Sequence, residues 1–213
     1  MTAAEFLQLL AEVRGIAIVR APTAEQAALA MEAAIRGGIR VAEFTLNTPG
    51  ALDLIRDFAA RPGVVVGAGT VLDMAHAEEA LHAGARFLVA PVVDDEVIAV
   101  ATRHDIACIP GAATPTEMWK AHRAGAPLVK VFPAPPGGPE AIRAVLGPMP
   151  FLRLVPTHGV TVDNAGAYLA AGAYALGFVR SLFDPAEMAA GRWELVEQRA
   201  RALVAAIAAA NVR

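Results

Sequence analysis

Short β-rich runs recur eight times along this chain, and that repeat constrains its fold more than any other feature. The runs begin 19 to 26 residues apart, and Ala-rich segments with helical spacing separate them. They cover residues 15–19, 41–45, 64–67, 87–90, 106–109, 128–132, 152–155 and 173–178. Strand and helix alternating in this way indicate parallel strands joined by right-handed crossovers. Eight such units predict an α/β fold, a (β/α)8 barrel, with one additional helix before the first strand.

Capping residues and glycines support these boundaries. Helix starts carry Thr or Asp, followed in three cases by proline at the first helical position. These starts are Thr2-x-x-Glu5, Thr23-x-x-Gln26, Thr48-Pro49, Thr114-Pro115 and Asp184-Pro185. Helix ends carry glycine, the usual left-handed terminator, at residues 37–38, 84, 125 and 172.

An open doubly wound sheet shares this alternation, but its dinucleotide-binding signature is missing. No G-x-G-x-x-G follows the first strand, and Gly67-Ala68-Gly69-Thr70 is too short a match. We therefore expect residues 1–213 to form a single barrel domain. Its additional N-terminal helix is expected to cover the N-terminal end of the barrel.

Composition indicates a soluble, compact globular protein. Hydrophobic residues make up 56% of the 213, yet no run approaches the ~18 apolar residues of a membrane span. The N-terminus lacks the pattern of a signal peptide, and the single cysteine, Cys108, excludes an internal disulfide. A net charge of −3 gives no reason to expect nucleic acid. We expect a cytoplasmic protein with neither a membrane nor a nucleic-acid partner.

Lys130 is one of only two lysines in the chain, and it lies in an apolar run with a valine on each side. Removing an unpaired ammonium from water is unfavourable, so the pKa of such an amine falls. A neutral amine can attack a carbonyl carbon, which makes Lys130 a candidate Schiff-base nucleophile. A purely structural ion pair with a carboxylate explains a buried lysine equally well.

Polar and small residues follow several strands at their C-terminal ends, where barrels of this type carry their chemistry. Alternation places Glu43 on one face with Val41 and Thr45, and Lys130 on one face with Phe132. If both faces point inward, a carboxylate and an amine meet in an enclosed pocket. The other strand-end candidates are Asn47, Thr70, Pro91, Thr157, His158, Gly159 and Arg180.

The histidines do not indicate a metal site. His76, His82, His104 and His122 fall in helical segments, and no pair has a metal-ligand setting such as H-E-x-x-H. We expect these four on the surface. His158 alone lies at the predicted active face, where it either binds an anion or fills space.

Four motifs, in this order, make the chain resemble the class I 2-keto-3-deoxy-6-phosphogluconate (KDPG) / 4-hydroxy-2-oxoglutarate (KHG) aldolases. The likeness covers about residues 11–183. The resemblance implies a homotrimer, a small 2-oxo acid as substrate, and no metal or organic cofactor. The motifs are Glu43-Phe44-Thr45-Leu46-Asn47-Thr48-Pro49, Gly67-Ala68-Gly69-Thr70-Val71, Ile109-Pro110-Gly111 and Lys130-Val131-Phe132-Pro133-Ala134.

The same resemblance implies the chemistry. Lys130 forms an imine at C2 of the 2-oxo acid, and Glu43 moves protons while the C3–C4 bond breaks to give pyruvate and an aldehyde. That aldehyde is glyceraldehyde 3-phosphate or glyoxylate, according to the substrate. The residues implied to contact the substrate are Thr70 at the carboxylate, Phe132 and Pro91 at the pyruvyl group, and Thr157 near the aldehyde.

Two departures from the family pattern affect the expected substrate. Gluconate-type members have an arginine for the carboxylate where this chain has Asn47, and Leu-Asn-Thr-Pro is more similar to the galactonate-type branch. Family members hold a distal phosphate on the backbone amides of Gly-Gly and Gly-Ser turns after strands seven and eight. Here these turns read His158-Gly159 and Val179-Arg180. Arg180 either replaces lost amide donors with a charged fork or faces solvent.

Three hypotheses about function follow. The leading one is a pyruvate-forming class I aldolase, with phosphorylated sugar acids and 4-hydroxy-2-oxoglutarate both open as substrates. The second is a barrel that binds a sugar-acid phosphate without turnover. The third is another phosphate-handling barrel, an isomerase or synthase of the tryptophan or thiamin type.

Overall fold

The computed structural model of the protein describes residues 1–210, in which strands alternate with helices. The strands are β1 (Gly15–Val19), β2 (Val41–Thr45), β3 (Val65–Gly69), β4 (Phe87–Val89), β5 (Ala107–Ile109), β6 (Gly111–Ala112), β7 (Val129–Val131), β8 (Leu154–Pro156) and β9 (Leu176–Phe178). The helices are α1 (Ala3–Val13), α2 (Ala24–Arg36), α3 (Ala51–Ala59), α4 (Met74–His82), α5 (Asp95–Arg103), α6 (Pro115–Arg123), α7 (Gly138–Leu146), α8 (Val162–Ala170), α9 (Pro185–Ala189) and α10 (Trp193–Ala210).

The parallel strands curl into a barrel. One sheet has the order β5-β4-β3-β2-β1-β9, and a second has the order β6-β7-β8. The sheets meet on one side through a parallel bridge between Thr157 and Gly177, and the N–H of Tyr174 donates to the carbonyl of Leu154 at 2.8 Å. On the other side the chain itself connects them, because only Pro110 separates β5 from β6. The predicted α/β barrel is confirmed, with eight strand positions.

The fifth strand position is divided at Pro110 because proline has no N–H to donate to a sheet. The Pro110 carbonyl still accepts a hydrogen bond from the N–H of Lys130 at 2.9 Å, so the neighbouring strand stays attached. A Cβ at Gly111 would overlap the backbone of Pro91, so only glycine fits there. The absence of a side chain at Gly111 therefore lets Pro91, in the chain after β4, approach β6 closely at the barrel rim.

Four of the helix caps predicted from the sequence are confirmed by the structure. Thr2 and Thr114 form capping boxes with the glutamates three residues later. Thr23 and Asp184 accept hydrogen bonds from backbone N–H groups in the first turns of α2 and α9. The glycines predicted to end helices have left-handed φ angles at residues 38, 84, 125 and 172.

The prediction that Thr48 caps α3 is wrong. This helix begins at Ala51, after Gly50 in the left-handed conformation. Thr48 is buried instead, and its hydroxyl accepts a hydrogen bond from the N–H of Ala21 at 3.3 Å. The side chain therefore joins the loops that follow β1 and β2, a tertiary role that competes with capping.

Helix α1 covers the N-terminal end of the barrel, as predicted. Phe6 and Leu10 are fully buried on one of its faces, and the Phe6 ring stacks on Phe87 with 4.6 Å between centroids. Apolar residues thus fill this half of the interior and leave the C-terminal half for polar groups. The residues in this cluster are Phe6, Leu10, Ile16, Ile18, Val41, Phe87, Val89, Ala107, Ile109, Leu128, Val155 and Ala175.

A larger apolar cluster lies between the outward faces of the strands and the surrounding helices. Within it, Phe44 of β2 meets Phe58 of α3 edge to face, with 4.9 Å between ring centroids. Cys108 of β5 is buried, and burial raises the pKa of its thiol to about 12, which fits an unreactive core side chain. None of the helices in residues 1–210 is long and apolar enough to cross a membrane.

The role of α1 can be tested with Phe6→Ala. We expect this variant to lower the free energy of unfolding by about 3–5 kcal/mol, because it leaves a cavity where two rings stack. Denaturant unfolding followed by circular dichroism measures the change. Gln8→Ala, on the exposed face of the same helix, is the control and should change stability by less than about 0.5 kcal/mol. Equal stability of the two variants would contradict the structural role of α1.

Candidate active site

A cavity of about 330 Å³ opens where the strands end. Its walls contain both aromatic and ionisable side chains, a mixture typical of ligand sites. A larger hollow of about 510 Å³ lies between α8 and α10, but apart from Arg14 only small or apolar residues line it. We therefore place the candidate active site at the strand ends. The lining residues are Ile18, Arg20, Thr45, Thr70, Pro91, Lys130, Phe132, Pro133, Thr157, His158, Val179 and Arg180.

Lys130 extends from the middle strand of the smaller sheet into this cavity. Its neighbours in register are Gly111 on β6 and Val155 on β8. The Nζ atom lies 5.1 Å from the centroid of the Phe132 ring. Burial lowers the pKa of the Lys130 amine, the charge of Glu43 raises it, and the charge of Arg20 lowers it. The net direction is downward, which favours a neutral amine.

Glu43 lies below the cavity on β2, with only 1% of its surface exposed. Burial raises the pKa of its carboxyl group, and the nearby charges of Lys130 and Arg20 oppose that rise. Neither carboxylate oxygen has a hydrogen-bond partner within the part of the chain that the structure describes. A buried polar group without a partner is uncommon and calls for a functional explanation. A simple structural ion pair with Lys130 would instead have joined the two groups directly.

The glycines of β3 make room for this carboxylate. Glu43 is paired in register with Gly67, and a Cβ at Gly69 would overlap the Oε1 atom of Glu43. A Cβ at Gly67 would lie within 2.5 Å of the Phe87 ring. Glycine at both positions therefore allows an acidic side chain and a phenylalanine to fill the same narrow interior.

Two residues of the cavity wall have unusual backbone geometry. Thr70 has a φ of 60° and His158 a φ of 70°, in the left-handed region that favours glycine. Such strain in residues other than glycine is found at functional sites, where the surrounding structure maintains it. The His158 ring meets Phe132 edge to face, with 6.3 Å between centroids.

Seven of the ten predicted site residues line the cavity: Thr70, Pro91, Lys130, Phe132, Thr157, His158 and Arg180. Glu43 does not itself line the cavity, but it lies close enough for its charge to act on Lys130. Asn47 and Gly159 do not line the cavity. Asn47 instead accepts a hydrogen bond from Arg20 Nε at 3.2 Å, and the Gly159 carbonyl accepts one from the Asn164 side chain at 2.9 Å.

Five lining residues were missing from the sequence-based set: Ile18, Arg20, Thr45, Pro133 and Val179. The most consequential is Arg20, which directly follows β1 and so meets the same strand-end criterion that identified the others. Thr45 had been recognised only as inward-facing on β2. Its hydroxyl donates to the carbonyl of Val19 at 3.2 Å, which secures the ends of β1 and β2 to each other.

Arg20 and Arg180 bring two positive charges to the cavity wall. Within residues 1–210 neither forms an ion pair, whereas Arg36, Arg40 and Arg61 on the outer surface each pair with a glutamate. An unpaired guanidinium offers a planar fork for a carboxylate or a phosphate. Among the same residues no cluster of His, Cys, Asp and Glu could hold a metal ion. The site therefore combines an amine whose pKa is lowered, a buried acid and two arginines that form no ion pair within residues 1–210.

Comparisons with known sequences agree with this chemistry. A family model described as KDPG and KHG aldolase matches residues 7–199. A 2-dehydro-3-deoxy-phosphogluconate aldolase of Pseudomonas aeruginosa is 40% identical over 141 residues, 65% of this chain and 64% of that relative. A probable 2-dehydro-3-deoxy-6-phosphogalactonate aldolase of Rhizobium meliloti is 37% identical over 194 residues, 90% of each chain.

Solved structures show the same similarity. A native KDPGal structure has a TM-score of 0.84 and 30% identity, and the match covers 93% of this chain and 96% of that one. A KDPG aldolase from Legionella pneumophila, with pyruvate captured at low pH as a covalent carbinolamine intermediate, has a TM-score of 0.82 and 27% identity. That match covers 92% of this chain and 97% of the Legionella chain.

The reactivity of Lys130 can be measured by competitive acetylation and peptide mass spectrometry from about pH 6 to about pH 11. We expect its amine to titrate below 10.5, the ordinary lysine value, because burial lowers its pKa. In Glu43→Gln the titration should move lower still, since the charge that raises the pKa is gone. Lys120, on the exposed surface of α6, supplies the reference signal for labelling. A Lys130 titration at or above 10.5 would contradict this account.

Proposed function

The chain belongs to the KDPG and KHG aldolase family, and we propose that it cleaves a 2-keto-3-deoxy sugar acid or 4-hydroxy-2-oxoglutarate to pyruvate and an aldehyde. As a member of that family it is a carbon–carbon lyase, a pyruvate-dependent aldolase of the class I, Schiff-base type. One observation carries the proposal. A lysine whose pKa is lowered by burial faces a cavity, and it interacts electrostatically with a buried acid that has no hydrogen-bond partner within residues 1–210.

The Lys130 amine acts as the nucleophile. Neutral Nζ adds to the C2 carbonyl to form a carbinolamine, and loss of water gives a protonated imine. This imine accepts the electron pair of the C3–C4 bond as the bond breaks, so the aldehyde departs and an enamine of pyruvate remains. Protonation at C3 and addition of water then release pyruvate and restore the free amine. The burial that lowers the pKa of Lys130 supports the first step, because only the neutral amine adds to a ketone.

Glu43 acts as the proton carrier. It donates a proton to the carbinolamine hydroxyl, which leaves as water, and it accepts the proton of the C4 hydroxyl during cleavage. It then returns a proton to the enamine carbon. One carboxyl group can serve all three steps if its pKa lies close to the working pH, and burial moves the pKa of Glu43 in that direction.

The remaining cavity residues surround the reacting carbons. Thr70 hydrogen-bonds the substrate carboxylate, and Pro91 and Phe132 form the apolar walls of the pyruvyl group. Thr157 lies near the departing aldehyde. Its hydroxyl donates to the Val155 carbonyl at 3.2 Å, which holds the side chain in one orientation.

The distal end of the substrate meets His158 and Arg180. We propose that the Arg180 guanidinium binds the terminal anion, because it lines the cavity and has no ion-pair partner within residues 1–210. The imidazole of His158 extends this surface beside Phe132. Gly159 forms part of the turn after β8 and does not line the cavity. Its carbonyl accepts a hydrogen bond from the Asn164 side chain. Both a phosphate and a carboxylate suit a guanidinium fork.

The oligomeric state and the cellular location that we propose are those implied by the family resemblance. We propose a cytoplasmic homotrimer built from one barrel domain of residues 1–213, and a family model over residues 7–199 supports a single domain. An exposed aromatic surface on α6 and the loop before β8 suits a subunit contact. There Trp119 and Phe151, 43% and 48% exposed, meet with 5.8 Å between ring centroids.

Reductive trapping tests the imine mechanism. Incubation with pyruvate and borohydride should add one reduced pyruvyl group at Lys130, detected by peptide mass spectrometry. Lys130→Met should lose the adduct and reduce kcat by more than about 10³-fold, and Glu43→Gln should reduce kcat by about 10²–10⁴-fold. A folded wild-type protein without the adduct would refute the mechanism. Full activity of Lys130→Met would instead favour a phosphate-handling isomerase or synthase.

A coupled pyruvate-release assay tests the substrate. The panel comprises phosphorylated gluconate- and galactonate-type acids, their unphosphorylated forms, and 4-hydroxy-2-oxoglutarate. We expect Arg180→Ala to raise KM by about tenfold or more for substrates with a terminal anion, and by less for the unphosphorylated sugar acids. Arg56→Ala, which removes an exposed arginine from α3, is the matched control. Equal effects of Arg180→Ala on all substrates would contradict distal anion binding, and binding of a sugar-acid phosphate without pyruvate release would indicate a non-catalytic barrel.

A further inference from the structure

The buried acid of the site has a large apolar neighbour inside the barrel that takes no direct part in the reaction. Phe87 of β4 is fully buried, and its ring lies where a side chain at Gly67 would be. Glu43 is the in-register neighbour of Gly67 on β2. We propose that Phe87, supported by Phe6 of α1, is the positioning residue of the acid: its ring excludes water from the N-terminal side of Glu43 and keeps the carboxyl group at the cavity end of the barrel. This inference rests on the proposed aldolase function.

The two inward glycines of β3 show how the ring and the carboxyl group are arranged. A Cβ at Gly67 would lie within 2.5 Å of the Phe87 ring, and a Cβ at Gly69 would overlap the Oε1 atom of Glu43. Gly67 and Gly69 share one face of their strand and lie about 6.6 Å apart along it. The ring therefore lies toward the N-terminal end of the barrel and the carboxyl group toward the cavity, with no side chain of β3 between them.

Phe87 is itself held in place from the N-terminal end of the barrel. The Phe6 ring of α1 stacks on it, with 4.6 Å between centroids and 22° between ring planes. The other neighbours of Glu43 in the strands are also apolar and buried. Val41 precedes it on the same face of β2, and Ile18 is its partner in register on β1. Apolar side chains thus adjoin the acid on its N-terminal side and along β1.

The charged groups that act on Glu43 lie on the cavity side. Those that alter the pKa of its carboxyl group are Lys130 of β7 and Arg20 after β1, and both line the cavity. Strands β3 and β4 contain no titratable residue, and the acidic residues of α1, Glu5 and Glu12, lie on its exposed surface. Burial is the largest cause of the raised pKa of Glu43, so a change in the apolar wall should change the protonation of the acid.

Removal of the Phe87 ring should admit water to the acid. An apolar cavity stays dry, but a water molecule is stable where polar groups can bind it. Both carboxylate oxygens of Glu43 lack a hydrogen-bond partner within residues 1–210, so they would bind water in the space left by the ring. A hydrated carboxyl group ionises more readily, and it can also move away from the reacting carbons. In Phe87→Ala we therefore expect both the protonation of Glu43 and its proton transfers to change.

Carbon-13 NMR of the full-length protein tests the role of Phe87 without any substrate. Glutamate is labelled at its carboxyl carbon, and the Glu43 signal is the one that disappears in Glu43→Gln. In the wild type this signal should titrate above 4.5, the ordinary value for a glutamate pKa. In Phe87→Ala the midpoint should move to lower pH, because water reaches the carboxyl group. Phe87→Leu keeps an apolar side chain there and should leave the midpoint near that of the wild type.

The matched control for this titration is Phe58→Ala. It removes a buried ring of the same size from the larger apolar cluster, between the strands and the surrounding helices. Loss of this ring should leave the Glu43 midpoint unchanged. A midpoint in Phe87→Ala equal to that in Phe58→Ala would show that the Phe87 ring does not keep water from the acid.

Kinetics of pyruvate release separates a positioning role from a structural one. Phe87→Ala should lower kcat by about tenfold or more and change KM by less than about threefold, because the ring acts on the proton carrier and does not line the cavity. Phe87→Leu should recover most of the lost rate, and Phe58→Ala should keep kcat within about twofold of the wild type. Thermal melting checks that each variant folds. If Phe87→Ala does not fold, Phe87→Val keeps part of the side chain and should change the midpoint and kcat in the same directions.

The outcomes for Phe87 are distinct from those for the proposed function. If the wild-type protein forms no adduct with pyruvate and borohydride, the aldolase proposal fails, and the NMR midpoints still decide whether Phe87 keeps water from Glu43. If the wild type is an active aldolase and Phe87→Ala matches Phe58→Ala in midpoint and kcat, the aldolase proposal stands and the assignment of Phe87 is refuted. A lowered midpoint with an unchanged kcat would likewise refute the positioning role in the reaction.

Discussion

The burial of one carboxyl group beside one amine is the constraint on which the rest of this structure depends. Glu43 lies almost fully out of water without a hydrogen-bond partner in residues 1–210, and Lys130, on which its charge acts, lines the cavity. Burial shifts the pKa of the acid upward and that of the lysine downward, so each moves toward the range where a proton is readily exchanged. Such an arrangement is unfavourable for folding alone, and the surrounding barrel has to stabilise it.

The barrel does so by dividing its interior. Helix α1 and the apolar side chains around Phe6 and Phe87 fill the N-terminal half, so the ionisable groups lie only at the C-terminal half. Glycines on β3 provide the space for the Glu43 side chain, and a methyl group at Gly69 would displace the carboxylate. The apolar residues that stabilise the fold and the ionisable residues of the cavity therefore lie at opposite ends of the same strands, as in other barrels of this architecture.

Positive charge on the cavity wall is the second electrostatic feature of this site. Arg20 and Arg180 line the cavity, and within residues 1–210 neither forms an ion pair. Of the two, only Arg20 acts on the pKa values of Glu43 and Lys130. The two guanidinium groups lie on neighbouring strand ends, one following β1 and the other following β9. Strained backbone at Thr70 and His158 lies on the same wall, where a well-packed barrel can maintain it.

The sequence by itself determined the eightfold strand–helix repeat, four helix caps and the candidates Lys130 and Glu43. Periodicity, capping chemistry and charge in an apolar run are local or periodic properties of a chain. It also identified Thr70, Pro91, Phe132, Thr157, His158 and Arg180 as strand-end residues. Only the tertiary structure decided that Thr48 connects two loops instead of capping α3, that the fifth strand divides at Pro110, and that Asn47 accepts a hydrogen bond from Arg20. Those outcomes depend on which loops meet across neighbouring strands, and pairing between distant segments brings those loops together.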